Sequence, residues 1–466
     1  MANFFKASNK KPVLGLDKDK LIVKIKKLDL NGCGVAYYKN KPIFISGSLA
    51  NEDIEIKIVE QKNKYAKGKL LKINTESSQR VIAKCSHFGA CGGCDLQHLD
   101  YQEQIIFKQR KVAELFSRSG IPKSVIEHLP WQSAITSSPY HYRRKARIGV
   151  QFDKNAQAII GFRQKATNQL INIKSCPVLA EPASNVFMIL KELIAKLSVK
   201  KAIGHIEVIC TEHKENFQSV LTLVIRQIRK LNEQDLLLWQ QYAESNQWQL
   251  FFQEDETDEK ARNITSKNNN CEDLSYRLID DVVINFAHSD FIQVNQQVNV
   301  AMVEQALTWL QPQKSDLVLD LFCGLGNFSL PLAKKVNKVV GVEGVQSMVD
   351  KAHTNATSNQ IDNCSFFQAD LNSHWLTSKE TSPDHQWTKH KFTKVLLDPA
   401  RAGAELALEQ VIKLAVPTVL YISCDPATLA RDSQLLLAKG YKIEKIGLVD
   451  MFSQTKHVET MVLFQQ

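Results

Sequence analysis

The sequence predicts a multidomain α/β protein with three parts: a small N-terminal β-barrel, a central α+β domain and a C-terminal Rossmann-like sheet of seven strands. A chain of 466 residues is too long to fold around one hydrophobic core. Residues 20–74 contain short strand-like runs, whereas strand-like and helix-like runs alternate after about residue 290. We therefore expect domains at residues 1–76, 77–290 and 291–466.

The N-terminal residues follow a strand pattern. Ile54, Ile56 and Ile58 alternate with Glu55 and Lys57, which is the period of two expected of a strand with one buried face. Several such strands in a short segment must close on themselves to hide their edges, which predicts a barrel. The segment is rich in lysine (62, 64, 67, 69 and 72), which suits RNA binding, although lysine on an edge strand also prevents aggregation.

Charge is unevenly distributed along the chain. Residues 1–150 contain 27 Lys and Arg against 13 Asp and Glu, and residues 151–466 contain 32 against 36. The basic front part indicates a polyanionic partner, with an ordinary solvated surface as the alternative. No run approaches the ~20 apolar residues of a membrane span. The N-terminus has no apolar signal-peptide core, so we expect a cytoplasmic protein without membrane contact.

Three of the ten cysteines cluster in a glycine-rich loop. Cys85, Cys91 and Cys94 have the spacing of metal ligands, and Cys176-Pro177 offers a fourth thiolate with the Cys-Pro ending of ferredoxin-type motifs. These features favour a [4Fe-4S] cluster over zinc, which also accepts four thiolates. Structural cysteines without a metal are the remaining alternative. The role expected of a cluster is structural or RNA-positioning.

The central region predicts a helix near residues 100–119, followed by mixed strands and helices. The polar stretches 254–272 and 372–391 are each predicted to be a surface insertion. In the C-terminal region, strand-like runs cover 317–322, 338–343, 364–367, 394–398, 418–423, 441–450 and 458–465. The last two runs leave no room for a helix between them, so we expect an antiparallel hairpin at the sheet edge.

A glycine-rich turn follows the first of these strands, in the sequence Val318 to Asn327. A dinucleotide site would have a third glycine where this chain has Ser329. Asp320, before the turn, suits a cationic ligand such as a sulfonium amino acid. Glu343 ends the next strand at a spacing that suits ribose hydroxyls, and Asp370 follows the third strand.

A cysteine and a glutamate complete this C-terminal region. Cys424 ends a buried strand before Pro426, and Glu459 begins the last strand. A thiolate that adds to C6 of uracil makes C5 nucleophilic, and a base must later remove the C5 proton. Taken singly, such a Cys is more often a small buried residue and such a Glu is more often solvated. Asp398-Pro399-Ala400-Arg401 lacks the aromatic residue of amino-nitrogen methylases.

These motifs, taken together, resemble a known family. The chain is similar to bacterial 5-methyluridine methyltransferases of 23S rRNA that carry a TRAM barrel and an iron–sulfur cluster. The motifs are CSHFGACGGC, DLFCGLGNF, GVEG, LLDPARAGA, ISCDPATLARD and HVETMVLF. The resemblance implies the nucleophile Cys424, the base Glu459, the cluster ligands Cys85, Cys91, Cys94 and Cys176, and the S-adenosylmethionine-binding residues Gln293, Phe322, Asn327, Glu343, Asp370 and Asp398. It also implies a monomer that acts on naked 23S rRNA or on an early assembly intermediate.

Two positions depart from the family pattern. Asp425 stands where the family usually has Asn, and an ionised carboxylate there is expected to raise the pKa of Cys424. Asp370 stands where some relatives have Asn. Rival interpretations are a tRNA enzyme, expected to lack the cysteine cluster, and a sister 23S rRNA enzyme, expected to lack the barrel. From a different class, the rivals are a non-catalytic RNA-binding protein or an iron–sulfur sensor.

Overall fold

The computed structural model describes residues 20–212, 219–253, 262–263, 274–376 and 387–466. Most of the predicted insertion at 254–272 and the middle of the one at 372–391 lie outside the described residues. The chain divides into two compact units. Among the described residues, the first contains residues 20–89 together with Cys94–Gln104 and Gln454–Lys456, and the second contains the others. The domain limits predicted at residues 76 and 290 stay a prediction.

The first unit is built on a six-stranded sheet. Its strands are β1 (Leu21–Lys24), β2 (Lys27–Leu28), β3 (Gly34–Tyr38), β4 (Lys41–Ile45), β5 (Asp53–Gln61) and β6 (Ala66–Thr75). They pair in the order β1-β5-β6-β4-β3-β2. Between β1 and β2, Ile25 N–H donates to the carbonyl of Glu52 and Lys26 N–H donates to the carbonyl of Val35. These bonds close the sheet, which confirms the predicted all-β barrel.

Alternation along β5 produces the core of this unit. Ile54 and Ile56 are fully buried, together with Ile43 and Ile45 of β4. Because side chains alternate between the faces of a strand, the charged residues of β5 point outward. Ile58 is partly buried and packs against the same core.

A buried ion pair fastens the chain beyond β6 to this barrel. Glu52 is fully buried, and its two carboxylate oxygens accept from Arg80 Nε at 2.5 Å and Nη2 at 2.9 Å. The backbone N–H of Leu49 also donates to this carboxylate, at 2.7 Å. Several donors thus compensate for the desolvation of a buried charge.

The second unit begins with an α+β region. Its strands are β7 (Lys145–Phe152), β8 (Ala158–Gly161), β9 (Ile203–Glu212), β10 (Ser219–Gln227), β11 (Trp248–Gln253), β12 (Arg262–Asn263), β13 (Leu274–Arg277) and β14 (Val283–Phe286). Its helices are α1 (Tyr101–Arg118, of which residues 101–104 belong to the first unit), α2 (Lys123–Glu127), α3 (Val186–Lys196) and α4 (Glu233–Asn246). Strands β7 to β12 form one sheet in the order β12-β11-β10-β9-β7-β8, and β13 pairs with β14. The helix predicted near residues 100–119 is confirmed as α1.

The C-terminal part of the second unit is a seven-stranded sheet. Its strands are β15 (Leu317–Leu321), β16 (Lys338–Glu343), β17 (Cys364–Gln368), β18 (Lys394–Leu397), β19 (Thr418–Ser423), β20 (Lys442–Val449) and β21 (Glu459–Gln465). The helices are α5 (Gln296–Leu310), α6 (Ser329–Ala333), α7 (Gln346–Ser358), α8 (Glu405–Lys413) and α9 (Pro426–Leu437). The order is β17-β16-β15-β18-β19-β21-β20.

The direction of these strands decides where functional side chains meet. Strands β15 to β19 are parallel, so their carboxyl ends share one edge of the sheet. Strand β21 runs antiparallel to both β19 and β20, so its first residue lies at that same edge. The predicted final hairpin is therefore confirmed. No helix among the described residues has both the length and the apolar character required to cross a membrane.

Candidate active site

A cavity of about 450 Å³ opens at the carboxyl edge of the seven-stranded sheet. It is lined by all of the catalytic and cofactor residues that the resemblance implies except Asp370, namely Gln293, Phe322, Asn327, Glu343, Asp398, Cys424 and Glu459. Asp370 is exposed, and its Oδ1 accepts from Asn372 N–H at 2.9 Å, which closes a local turn. The predicted role of Asp370 in cofactor binding thus has no support from the lining of this cavity.

Strand register brings Cys424 and Glu459 together. Ser423, the last residue of β19, pairs with Thr460 in β21. Because the two strands are antiparallel, the residue after Ser423 and the residue before Thr460 are neighbours. The predicted nucleophile and the predicted base, which are 35 positions apart in the sequence, therefore face one cavity.

The glycine-rich turn after β15 supplies another wall. Phe322 has a φ of 63°, and Gly324 and Gly326 also have positive φ values, which lets the backbone turn sharply. Glu343 anchors this turn, since its Oε2 accepts from Gly324 N–H and its Oε1 accepts from Val345 N–H, both at 3.2 Å.

Asp320 lies beneath the turn and is fully buried. Its Oδ2 accepts from Ser329 Oγ at 2.5 Å, and its Oδ1 has no hydrogen-bond partner among the described residues. Burial, with smaller contributions from Asp398 and Glu343, raises the pKa of Asp320 to about 7, whereas the hydrogen bond from Ser329 lowers it. Burial also raises the pKa of Asp398 to about 7. A cationic ligand would relieve this concentration of acids.

A network of polar side chains that the sequence did not reveal holds Asn327. Its Oδ1 accepts from Tyr276 Oη and from Asn299 Nδ2, both at 3.0 Å, and its Nδ2 donates to Asn299 Oδ1 at 3.0 Å. Tyr276 lies on β13 and Asn299 lies on α5. No local motif marks either residue, because each is recruited by tertiary contact.

The thiol and the carboxyl group at the end of the sheet have shifted acidities. Burial first, and then the nearby Glu459 and Asp398, raise the pKa of Cys424 to about 11, whereas Arg401 lowers it. Burial and Asp398 raise the pKa of Glu459 to about 8, whereas Lys108 lowers it. Glu459 is almost completely buried, and its Oε2 has no hydrogen-bond partner in the described part of the chain.

Asp425 has a structural task beside the nucleophile. Its Oδ1 accepts from Ala427 N–H at 2.9 Å and from Thr428 N–H at 3.3 Å, which caps the N-terminus of α9. The expectation that the pKa of Cys424 is raised is confirmed, but the leading causes are burial, Glu459 and Asp398. Asp425 is not among these leading causes, so its expected contribution stays a prediction.

A buried ion pair supports the strand end beside Glu459. Lys108 on α1 is fully buried, and its Nζ donates to Asp450 Oδ1 at 2.5 Å and to the carbonyl of Phe452 at 3.1 Å. Ser453 Oγ donates to the other carboxylate oxygen of Asp450 at 2.6 Å. Val449, the residue before Asp450, pairs with Glu459 across β20 and β21. Lys108 therefore stabilises the segment that leads to the predicted base.

The predicted metal ligands give a different result. Cys91, Cys94 and Cys176 are each more than nine-tenths buried, and Cys91 Sγ accepts from Gly93 N–H at 3.4 Å. Across the described ranges, however, no three His, Cys, Asp or Glu side chains form a group that could hold a metal ion. The structure therefore gives the predicted cluster no direct support.

Comparisons with known proteins identify the family of this chain. The family model described as tRNA (Uracil-5-)-methyltransferase matches residues 100–466, and the TRAM domain model matches residues 19–71. A relative from Colwellia psychrerythraea, named 23S rRNA (uracil(1939)-C(5))-methyltransferase RlmD, is 55% identical over 100% of this chain and 99% of its own length. A relative of the same name from Psychromonas ingrahamii is 43% identical over the full length of both chains.

A solved structure shares the fold. The tRNA (uracil-54, C5)-methyltransferase of Pyrococcus abyssi, in complex with S-adenosyl-L-homocysteine, has a TM-score of 0.69 and 23% identity. The alignment covers 95% of this chain and all of that one. With the family model and full-length relatives in agreement, the chain belongs to the tRNA (uracil-5-)-methyltransferase family and is an S-adenosylmethionine-dependent RNA uracil-C5 methyltransferase with an N-terminal TRAM domain.

Proposed function

We propose that this protein methylates C5 of one uridine in 23S rRNA through a covalent bond between Cys424 and C6 of the uracil. This proposal rests mainly on the observation that Cys424 and Glu459 line the same cavity as the glycine-rich turn. The names of the full-length relatives support 23S rRNA as the substrate. The proposal includes a monomer that acts in the cytoplasm on naked rRNA or on an early assembly intermediate.

The mechanism assigns one role to each of the two groups. The thiolate of Cys424 adds to C6, and the electron pair of the C5–C6 double bond moves towards the O4 carbonyl, which makes C5 nucleophilic. C5 then takes the methyl group that S-adenosylmethionine supplies when bound. Glu459 removes the remaining proton from C5, the double bond re-forms, and the thiolate of Cys424 leaves.

Both reactive groups must lose a proton before they act. At neutral pH most of Glu459 is protonated because its pKa is about 8, but its carboxylate, once formed, accepts a proton far more readily than an ordinary carboxylate does. The thiol with a pKa of about 11 is mostly protonated at neutral pH, and Arg401 at the cavity wall favours its thiolate. Adduct formation therefore depends on the positive charge of Arg401.

The cavity fits S-adenosylmethionine by its chemistry. Glu343 offers carboxylate oxygens for ribose hydroxyls, and Phe322 and Met348 supply apolar surface. Asp398 and the buried Asp320 suit a sulfonium cation. Gln293 has a buried Oε1 without a hydrogen-bond partner among the described residues, which provides a further acceptor. Asn327 completes the proposed binding set.

Two variants test the covalent step. Cys424→Ala should lose methyl transfer from labelled S-adenosylmethionine to unmodified 23S rRNA and should keep RNA affinity. Glu459→Gln should accumulate a protein–RNA adduct that survives denaturing electrophoresis, because the C5 proton is not removed. Cys323→Ala, which changes another buried thiol of the same cavity, is the matched control for Cys424→Ala and should retain methyl transfer. Full activity of Cys424→Ala would refute the mechanism.

For the cysteine loop, we propose a [4Fe-4S] cluster held by Cys85, Cys91, Cys94 and Cys176. Four thiolates are the usual ligand set of such clusters, although zinc accepts the same set. The burial of three of the thiols and the N–H···S bond to Cys91 support a ligand role. A cluster would order the loop and the RNA-binding surface, because the proposed chemistry needs no redox step.

Metal analysis distinguishes these alternatives. Protein purified without oxygen should contain about four iron and four sulfide per chain, and Cys91→Ser should lose both. Cys33→Ser, at a cysteine outside the set, is the control and should retain both. Stoichiometric zinc, or no metal in anaerobically purified protein, would refute the cluster.

The TRAM barrel has a proposed role in RNA binding, carried by its lysine-rich strand β6. Lys69 and Lys72 both lie on that strand. Replacing both with Gln should weaken 23S rRNA binding and reduce its dependence on salt, because each lysine neutralises a phosphate.

The alternative that the protein methylates tRNA is tested by the same methyl-transfer assay with unmodified tRNA. We expect no labelled methyl group to be incorporated into the tRNA.

A further inference from the structure

A second cavity, of about 410 Å³, lies in the same unit as the active site. Its lining is largely polar and aromatic and includes Tyr140, His141, Arg144, Ser275 and Tyr276. Tyr276 also lines the active-site cavity, so the two cavities share a wall. The proposed catalytic steps make no use of the second cavity.

Arg144 packs against Tyr276 and stabilises the wall between the two cavities. Its guanidinium carbon lies 4.4 Å from the ring centroid of Tyr276, and its Nε donates to the carbonyl of Gln293 at 2.8 Å. Its Nη1 donates to Gln296 Oε1, and its Nη2 has no hydrogen-bond partner within the described residues. Arg144 is buried and therefore fixes Tyr276 and Gln293, which both face the active site.

The lining indicates what kind of molecule fits. Aromatic rings with hydroxyl and amide groups suit a nucleobase, which stacks on rings and forms hydrogen bonds along its edge. Glu181 and Glu212 also border the cavity and would repel a phosphate, whereas they accept hydrogen bonds from an exocyclic amino group. A volume of about 410 Å³ lies within the range of small-molecule pockets.

We propose that this second cavity receives the base of a nucleotide that flanks the target uridine, and that this base carries an exocyclic amino group. This inference rests on the proposed function, since it requires an RNA substrate. The shared wall means that one RNA strand can place two unstacked bases on opposite sides of Tyr276. Occupation of the second cavity would then select the RNA that presents the correct neighbour.

The test uses 23S rRNA fragments in which each nucleotide near the target uridine is replaced in turn by an abasic one. With the wild-type protein, one position should raise KM about tenfold, the effect of losing one stacked base, with little change in kcat. Gln297→Trp places a large ring at an exposed position of the cavity lining. This variant should raise KM for the intact RNA. With this variant, the abasic substitution that raised KM for the wild-type protein should cause no further rise in KM.

Two further variants make the outcomes separable. Thr308→Trp, which places the same large ring at an exposed position of α5 outside the cavity lining, is the control and should behave as the wild type does. Glu212→Met, which removes the hydrogen-bond acceptor, should lose preference for a base with an amino group over its analogue without one. Equal KM values along the whole abasic series, or independent effects of Gln297→Trp and the abasic site, would overturn the inference. Failure of the wild type to methylate the intact fragment would instead refute the proposed function.

Discussion

Replacing Glu459 with Gln should stabilise the protein at alkaline pH while it blocks turnover. Glu459 is 5% exposed, and burial raises its pKa from 4.5 to about 8. Below pH 4.5 the carboxyl group is protonated in both the folded and the unfolded states. As the pH rises above 4.5, the unfolded state loses this proton first, so the folded state is progressively destabilised until the pH exceeds about 8.

The size of this effect follows from the shift in pKa. At 1.36 kcal/mol per pKa unit, a rise from 4.5 to about 8 corresponds to about 5 kcal/mol at pH 9 and about 2 kcal/mol at pH 6. Glutamine carries no charge at either pH, so it escapes this penalty. The free energy of unfolding of Glu459→Gln should therefore exceed that of the wild type by an amount that grows with pH.

Urea unfolding at pH 6 and pH 9 measures this difference. All six tryptophans lie in the second unit, so their fluorescence reports the unit that contains Glu459. Glu444→Gln, at an exposed position of β20, is the matched control and should change the free energy of unfolding by less than about 0.5 kcal/mol at both pH values. A difference between Glu459→Gln and the wild type that does not vary with pH would refute the reasoning.

Three further predictions concern charged side chains. Arg401→Gln removes a charge that lowers the pKa of Cys424, so adduct formation at saturating RNA should slow at neutral pH and recover at higher pH; an unchanged pH profile in single-turnover assays would contradict this. Lys108→Met leaves a carboxylate buried without its cation and should lower the free energy of unfolding by about 3–5 kcal/mol, measured by urea unfolding. Arg80→Ala should destabilise the barrel by a similar amount, because it leaves the fully buried carboxylate of Glu52 without its cation. Hydrogen exchange of the barrel strands measures this loss of stability. Arg118→Ala, which removes an exposed ion pair, is the control and should have little effect.

Local patterns in the sequence were enough for the element types and for much of the site. Alternating isoleucines predicted β5, and the spacing of apolar runs predicted the parallel strands and the final hairpin, because strand periodicity and helix length are properties of short segments. Cys424, Glu343 and the glycine-rich turn were found because parallel strands deliver their carboxyl ends to one edge.

Tertiary structure alone decided which side chains meet and how their pKa values shift, because burial and long-range contacts leave no pattern in a short stretch of sequence. Only the antiparallel register of β21 puts Glu459 beside Cys424, and burial together with the neighbouring Asp398 raises the pKa of its carboxyl group to about 8. The support from Lys108 and the wall formed by Arg144 and Tyr276 join residues more than a hundred positions apart. The sequence alone thus determined the strands and the reactive groups, whereas packing determined which of these groups meet and how they ionise.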